Sequence, residues 1–184
     1  MFTSLNPLKT GIKSERYSKI DSNILNYFSL IKKEGYHVFG CVPKFANAFG
    51  MMKEFENNDK TYDHFQSLSE GLGKKILSQL KSNSMKEPWF YFVHINDIHF
   101  PVIPPKSYDD QRFGESKYDR TVSSIDEWIG KILECVDLTK TLVVITSDHG
   151  ANVSSVKIGN QYINCETDGS KQKFTTKMGN KIPS

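Results

Sequence analysis

Trp89-Phe90-Tyr91-Phe92-Val93-His94-Ile95 is apolar at nearly every position, so both of its faces need cover. A strand with one wet face alternates apolar and polar residues, whereas a parallel strand covered by helices on both sides does not. The run therefore predicts a central strand of a parallel sheet. Downstream, Tyr118, Val122, Ile125, Ile129, Ile132 and Leu133 recur at helical spacing, and Thr141-Leu142-Val143-Val144-Ile145-Thr146-Ser147 reads as a second buried strand. Strand, helix and strand make a βαβ unit with a right-handed crossover.

Upstream the alternation continues. Asp21 or Ser22 can cap a helix carrying Ile24, Leu25, Phe28 and Ile31, with Lys32 and Lys33 in its last turn and Gly35 as its stop. Tyr36 to Val42 reads as a short strand ended by Pro43, and 44–60 as a loop. From Thr61 a second helix is expected, with Phe65, Leu68, Leu72, Ile76 and Leu80 on one face, weakened by Gly71 and Gly73. Residues 1–20 are polar and irregular, 21–150 form the α/β domain, and 151–184 are polar, with Gln161 to Asn164 as their one plausible strand. The expected fold class is a three-layer αβα arrangement around a mostly parallel sheet.

The bulk composition narrows the function. The chain has 184 residues, 38% hydrophobic, with a formal net charge of +3 and scattered basic residues. No basic stripe interleaved with aromatics suggests a nucleic-acid partner. Cys41, Cys135 and Cys165 are odd in number and far apart, which fits reduced thiols rather than a disulfide framework. No apolar run is long enough for a transmembrane helix, and the N-terminus lacks a signal-peptide core. The sequence points to no compartment and no oligomeric state.

The chemistry concentrates at the strand ends. Asp148 and His149 stand between the 141–147 run and Gly150, where a strand stops and a tight turn begins. Open α/β sheets place their ligands at such ends. In a βαβ unit both strands point the same way, so the loops after Ile95 and after Ser147 open on one edge. Neighbouring parallel strands lie about 4.8 Å apart, which predicts that Asp97 and His99 approach Asp148 and His149. The loop 96–116 is long for a compact domain, and such loops are usually functional. Ordinary readings stand beside these: Asp97 can form an Asx-turn, Asp148 can cap a turn, and His94 fits a core histidine.

At these residues the chain resembles the sulfatase family of the alkaline phosphatase superfamily. The likeness lies in Phe92 to Pro101 (an aromatic strand, then Asp97-Ile98-His99 with Pro101 following), in Tyr118…Val122…Ile125-Asp126-Glu127-Trp128-Ile129-Gly130, and in Thr146-Ser147-Asp148-His149-Gly150. Lys33 to Tyr36 resembles the end of the family's earlier helix. The resemblance covers roughly residues 20–150 and rests on the order and spacing of the motifs.

The resemblance implies metal-dependent hydrolysis of a sulfate ester, whether a small molecule or a glycan. Asp148 and His149 match two ligands of a divalent cation, usually calcium, whose hard oxygen preference suits a carboxylate. His99 matches the histidine that contacts the ester oxygens or protonates the leaving group, and imidazole is the side chain suited to proton transfer near neutral pH. Lys44 and Asp97 are candidate substrate contacts. The family nucleophile, formylglycine or an unmodified Ser or Thr, sits in Cys/Ser-x-Pro-x-Arg after a strand bearing two acidic residues. Met1 to Ile20 contain neither feature. In Cys41-Val42-Pro43-Lys44-Phe45 a Phe stands where Arg is required, so no residue of the chain is assigned as nucleophile. The expectation is an incomplete copy of a sulfatase. Two alternatives stand beside sulfate ester hydrolysis. One is phosphoryl chemistry of the same superfamily (phosphodiesterase, phosphonate hydrolase or phosphoethanolamine transferase); the other is a catalytically silent fragment.

Overall fold

In the computed structural model, residues 3–11, 20–21, 23–150, 155–158, 161–168 and 171–176 are described. They fall into two compact units, 1–145 and 146–184. The first carries helix α1 (Pro7–Thr10), helix α2 (Tyr27–Lys33), strand β1 (His37–Pro43), strand β2 (Thr61–Tyr62), helix α3 (Leu72–Lys81), strand β3 (Trp89–Val93) and helix α4 (Lys117–Leu133).

The sheet of this unit is parallel, in the order β2-β1-β3. His37 to Cys41 pair in register with Trp89 to Val93, and Val42 and Pro43 with Thr61 and Tyr62. Successive side chains of a strand point to opposite faces, and here each face has its own core. Val38 and Val42, with Phe90 and Phe92, pack on Phe28 of α2 and on Met52 and Phe55. Cys41, with Tyr91 and Val93, faces Leu72 and Ile76 of α3 and Ile125, Trp128 and Ile132 of α4. Helices thus cover both faces, the αβα layering of an α/β domain.

The centre of the sheet is β1 rather than the aromatic run. Val38 to Pro43 are all buried, whereas Trp89 to Val93 are each half-buried at the edge. Where β2 is too short to pair, Asn57 completes β1: its Oδ1 accepts from Gly40 N at 3.0 Å and its Nδ2 donates to Gly40 O at 2.8 Å. β3 also stops at Val93, so His94 and Ile95 lie just past its end.

Local hydrogen bonding moves both helix starts. Asp21 accepts from Asn23 N at 2.9 Å in a tight turn, so the helix waits for Asn26. Asn26 accepts from Ser29 N at 3.0 Å and Ser29 Oγ accepts from Asn26 N at 3.1 Å, a reciprocal cap that fixes Tyr27 as the first helical residue. The second helix begins at Leu72, not Thr61. Thr61 and Tyr62 are drawn into the sheet, and Gly71 at φ +113° separates the short 3-10 turn Leu68–Glu70 from α3. Phe65, expected on the buried face, is 77% exposed.

The segment 141–147 also departs from expectation. It pairs with no strand among the described residues, and Leu142, Val144 and Ile145 are 88%, 74% and 66% exposed. Apolar β-branched residues favour extended backbone, but a strand exists only with a partner for its amides and carbonyls. The strand half of the expected βαβ unit is therefore absent from this sheet.

In the second unit, β4 (Ser155–Ile158), β5 (Gln161–Asp168) and β6 (Lys171–Thr176) make an antiparallel sheet in chain order. Lys157 pairs with Tyr162, and Glu166 with Lys173. The expected strand Gln161 to Asn164 is the first half of β5, with a strand on either side. No helix among the described residues is long and apolar enough to cross a membrane.

Two glycines of the first unit predict opposite outcomes. A Cβ on Gly73 would stand 2.3 Å from the Trp128 ring, whereas one on Gly130 meets nothing within 4 Å. Gly73→Ala should lower stability by about 1–3 kcal/mol through overpacking of α3 against α4. Gly130→Ala should leave stability unchanged or raise it by up to about 1 kcal/mol. Guanidinium denaturation midpoints read both.

Candidate functional site

Because β1, β2 and β3 are parallel, the loops following Pro43, Tyr62 and Val93 leave the same edge of the sheet. They bring together Lys44 and Phe45, then Asp63 to Phe65, then His94 to His99. Tyr62 ties two of these loops, its hydroxyl donating to the His94 carbonyl at 2.6 Å. Burial pushes the Tyr62 phenol far above its ordinary titration range, so it stays a donor.

A cleft of about 300 Å³ opens here, lined by His64, Asn96, Asp97 and His99 among others. Phe65, Phe100 and Ile103 also line it and are largely exposed. The structure thus places Asp97 and His99 in one cleft. The cleft's long loop is held by α4. Arg120 donates to Asp109 Oδ1 at 2.8 Å and to Gly114 O at 3.0 Å, and Ser123 Oγ donates to Phe113 O at 2.7 Å.

Asp97 is occupied on one side. Its Oδ1 accepts from Leu68 N at 3.0 Å, which pins the loop after β3 to the turn leading into α3. Its Oδ2 is buried with no hydrogen-bond partner among the described residues. Burial raises the Asp97 carboxyl from 3.8 to about 6, outweighing the opposing Leu68 N–H, with Glu70 adding a like charge nearby.

His99 has a defined tautomer. Its Nδ1 lies 2.9 Å from the Phe100 carbonyl oxygen, which can only accept, so Nδ1 carries a proton and Nε2 is left for other partners. Lys44 is not free: its Nζ lies 2.6 Å from Asp63 Oδ1 in an exposed ion pair. Such pairs contribute about 0–1 kcal/mol and open readily.

Asp148 and His149 belong to the second unit. The Nδ1 of His149 is 2.8 Å from the Gly150 carbonyl, so this ring also carries its proton on Nδ1. Its Nε2 lies 3.7 Å from Asp148 Oδ2, and Asp148 Oδ1 accepts from His149 N at 2.9 Å. Among the described residues no group of three or more His, Cys, Asp or Glu side chains is placed to hold a metal ion. Asp148 and His149 are two such side chains, fewer than that number. The approach to Asp97 and His99 was expected on the premise that 141–147 is a strand of the same sheet, and that premise fails.

Sequence reasoning missed His64 and Asn96. His64 follows a two-residue strand hidden inside an apparent helical stripe. The Asn96 amide donates to both the His64 carbonyl and its ring nitrogen. The usable signal was Thr61-Tyr62 before Asp63-His64, a β-branched and aromatic pair that favours strand.

The sequence model of the sulfatase family matches residues 1–179. A protein of Haemophilus influenzae, named only as an uncharacterized protein, is 33% identical over 82 residues, covering 45% of this chain. The match covers 12% of that protein, so the chain spans a small part of its length. No solved structure matches the chain.

The raised Asp97 value predicts a pH dependence of stability. The folded state holds the proton more tightly than the unfolded chain, so stability is full below 3.8 and falls as pH rises through about 6. Asp97→Asn keeps an acceptor for Leu68 N and should flatten this part of the profile. Thermal midpoints measured from pH 3.5 to pH 7 on both proteins check the sign; parallel profiles would refute it.

Proposed function

The chain belongs to the sulfatase family, and we propose that its site serves the metal-dependent hydrolysis of sulfate esters. The observation that supports this most is the pairing at Asp148 and His149. With its Nδ1 proton given to Gly150 O, the His149 ring turns a bare Nε2 to within 3.7 Å of Asp148 Oδ2. A backbone carbonyl orienting one ring nitrogen so that the other can bind metal is the usual arrangement of a ligating histidine.

In this reading Asp148 and His149 hold a divalent cation, calcium, with other oxygens completing its shell. A cation so held would supply positive charge that stabilises an oxyanion. His99 exchanges a proton at its Nε2 with the ester oxygen, since its Nδ1 is committed to Phe100 O. Lys44 turns from Asp63 toward the anion at small cost, because that pair is exposed. Asp97 holds the His99 loop in place through Leu68 N. The 184 residues contain no Cys/Ser-x-Pro-x-Arg. Hydrolysis is therefore proposed of the complete sulfatase centre, and ester and cation binding of this chain.

The full chain is expected to bind calcium in a calorimetric titration, and Asp148→Asn to weaken binding at least about tenfold. It is also expected to leave a chromogenic aryl sulfate intact in the presence of calcium. Undiminished calcium affinity in Asp148→Asn would defeat the metal assignment. Turnover abolished by Asp148→Ala would defeat the restriction to binding.

A further inference from the structure

The cleft holds a second imidazole, whose tautomer follows from the partner at its Nδ1. Asn96 Nδ2 lies 3.2 Å from the His64 carbonyl oxygen and 3.1 Å from His64 Nδ1. A backbone carbonyl only accepts, so the atom facing it must be the amide nitrogen, and that same NH₂ group donates its second hydrogen to the ring. His64 Nδ1 is therefore an acceptor, and the proton of the neutral ring sits on Nε2. His99 has the opposite assignment, with Nδ1 protonated against Phe100 O. The two rings meet edge to face, centroids 5.5 Å apart, in the wall of the same cleft.

We propose that His64 is a second anion-contacting residue of this cleft, offering a fixed Nε2–H to an ester oxygen beside His99. The pair then presents complementary groups: a standing donor from His64 and, from His99, the nitrogen that gains or loses the proton. Its edge contacts with Phe45 and Phe65, centroids 5.1 and 4.7 Å away, hold the ring between two aromatic side chains. Two carboxylates share the cleft wall, and of their oxygens Asp97 Oδ2 is buried with no hydrogen-bond partner among the described residues. Glu70 accepts from Ser67 N and Oγ, and Asp97 accepts from Leu68 N. The proposal rests on the reading of the cleft as the ester site and adds a residue to it.

The test uses the full chain, ¹⁵N-labelled, with long-range imidazole spectra recorded while sodium sulfate is titrated against sodium chloride of equal ionic strength. His64 is expected to show a protonated Nε2 and a bare Nδ1, and its ring and that of His99 to shift together along one saturable curve. Two substitutions separate a donor from a structural anchor. Gln places an amide N–H where Nε2 stands, whereas Asn reproduces only the Nδ1 position. His64→Gln should keep the sulfate dissociation constant within about threefold. His64→Asn should weaken it roughly tenfold, the loss of one charge-assisted hydrogen bond. Full binding in His64→Asn with loss in His64→Gln would overturn the proposal. So would a wild-type His64 protonated on Nδ1. A response of His99 without His64 would sink the role of His64 and leave the ester site standing. Silence of both rings would overturn both.

Discussion

Everything in the first unit depends on one strand being buried on both faces. β1 has no wet side: six of its seven residues are buried, and each face carries a different core. Water cannot satisfy its backbone, so partners must be found along its whole length, and Asn57 supplies them where β2 does not. The same constraint forces neighbours to run parallel, because the connections pass through helices lying on the faces. Parallel direction in turn gathers three loop starts on one edge. The cleft is thus a by-product of how β1 is covered, and the polar residues that line it are those the core cannot accept.

Within that cleft, specificity of hydrogen bonding does more than charge. The groups that carry formal charge are already engaged: Lys44 with Asp63, Glu70 with Ser67, and Asp97 with Leu68 N on one oxygen. Besides Asp97 Oδ2, the unengaged atoms are ring nitrogens whose roles are set by a backbone carbonyl and one amide. A carbonyl beside Nδ1 turns His99 into a ring with Nε2 open, while an amide beside Nδ1 turns His64 into a donor. Such assignments cost no reorganisation when a ligand arrives, which is the advantage of preorganised polar sites.

Much of this was legible in the sequence. The α/β class followed from two-sided apolar runs, the α4 stripe was found nearly to its ends, and Asp97 and His99 were placed on the strand-end edge. What escaped was set by partners far away in the chain. Strand position in the sheet depends on pairing, so the aromatic run looked central although β1 is. Thr61 and Tyr62 looked helical because Leu68, Leu72 and Ile76 continue the same spacing, while Gly71 breaks it. Asn26 outcompeted Asp21 as a cap because only Asn26 has a serine three residues on that closes the reciprocal bond. The meander of the second unit had a local signal after all: Gly159-Asn160 and Gly169-Ser170 are hairpin dipeptides in an otherwise polar stretch.

The exposed run Leu142 to Ile145 has a consequence of another kind. A short segment of mostly β-branched residues without charge, proline or glycine, and without a ladder partner among the described residues, is a template for its own copies. Identical segments stacked in register satisfy each other's amides and carbonyls and interlock their side chains into a dry seam. That makes this handful of residues an aggregation-prone segment of the chain. Supersaturation, nucleation and the company of other chains decide whether that handful stays single.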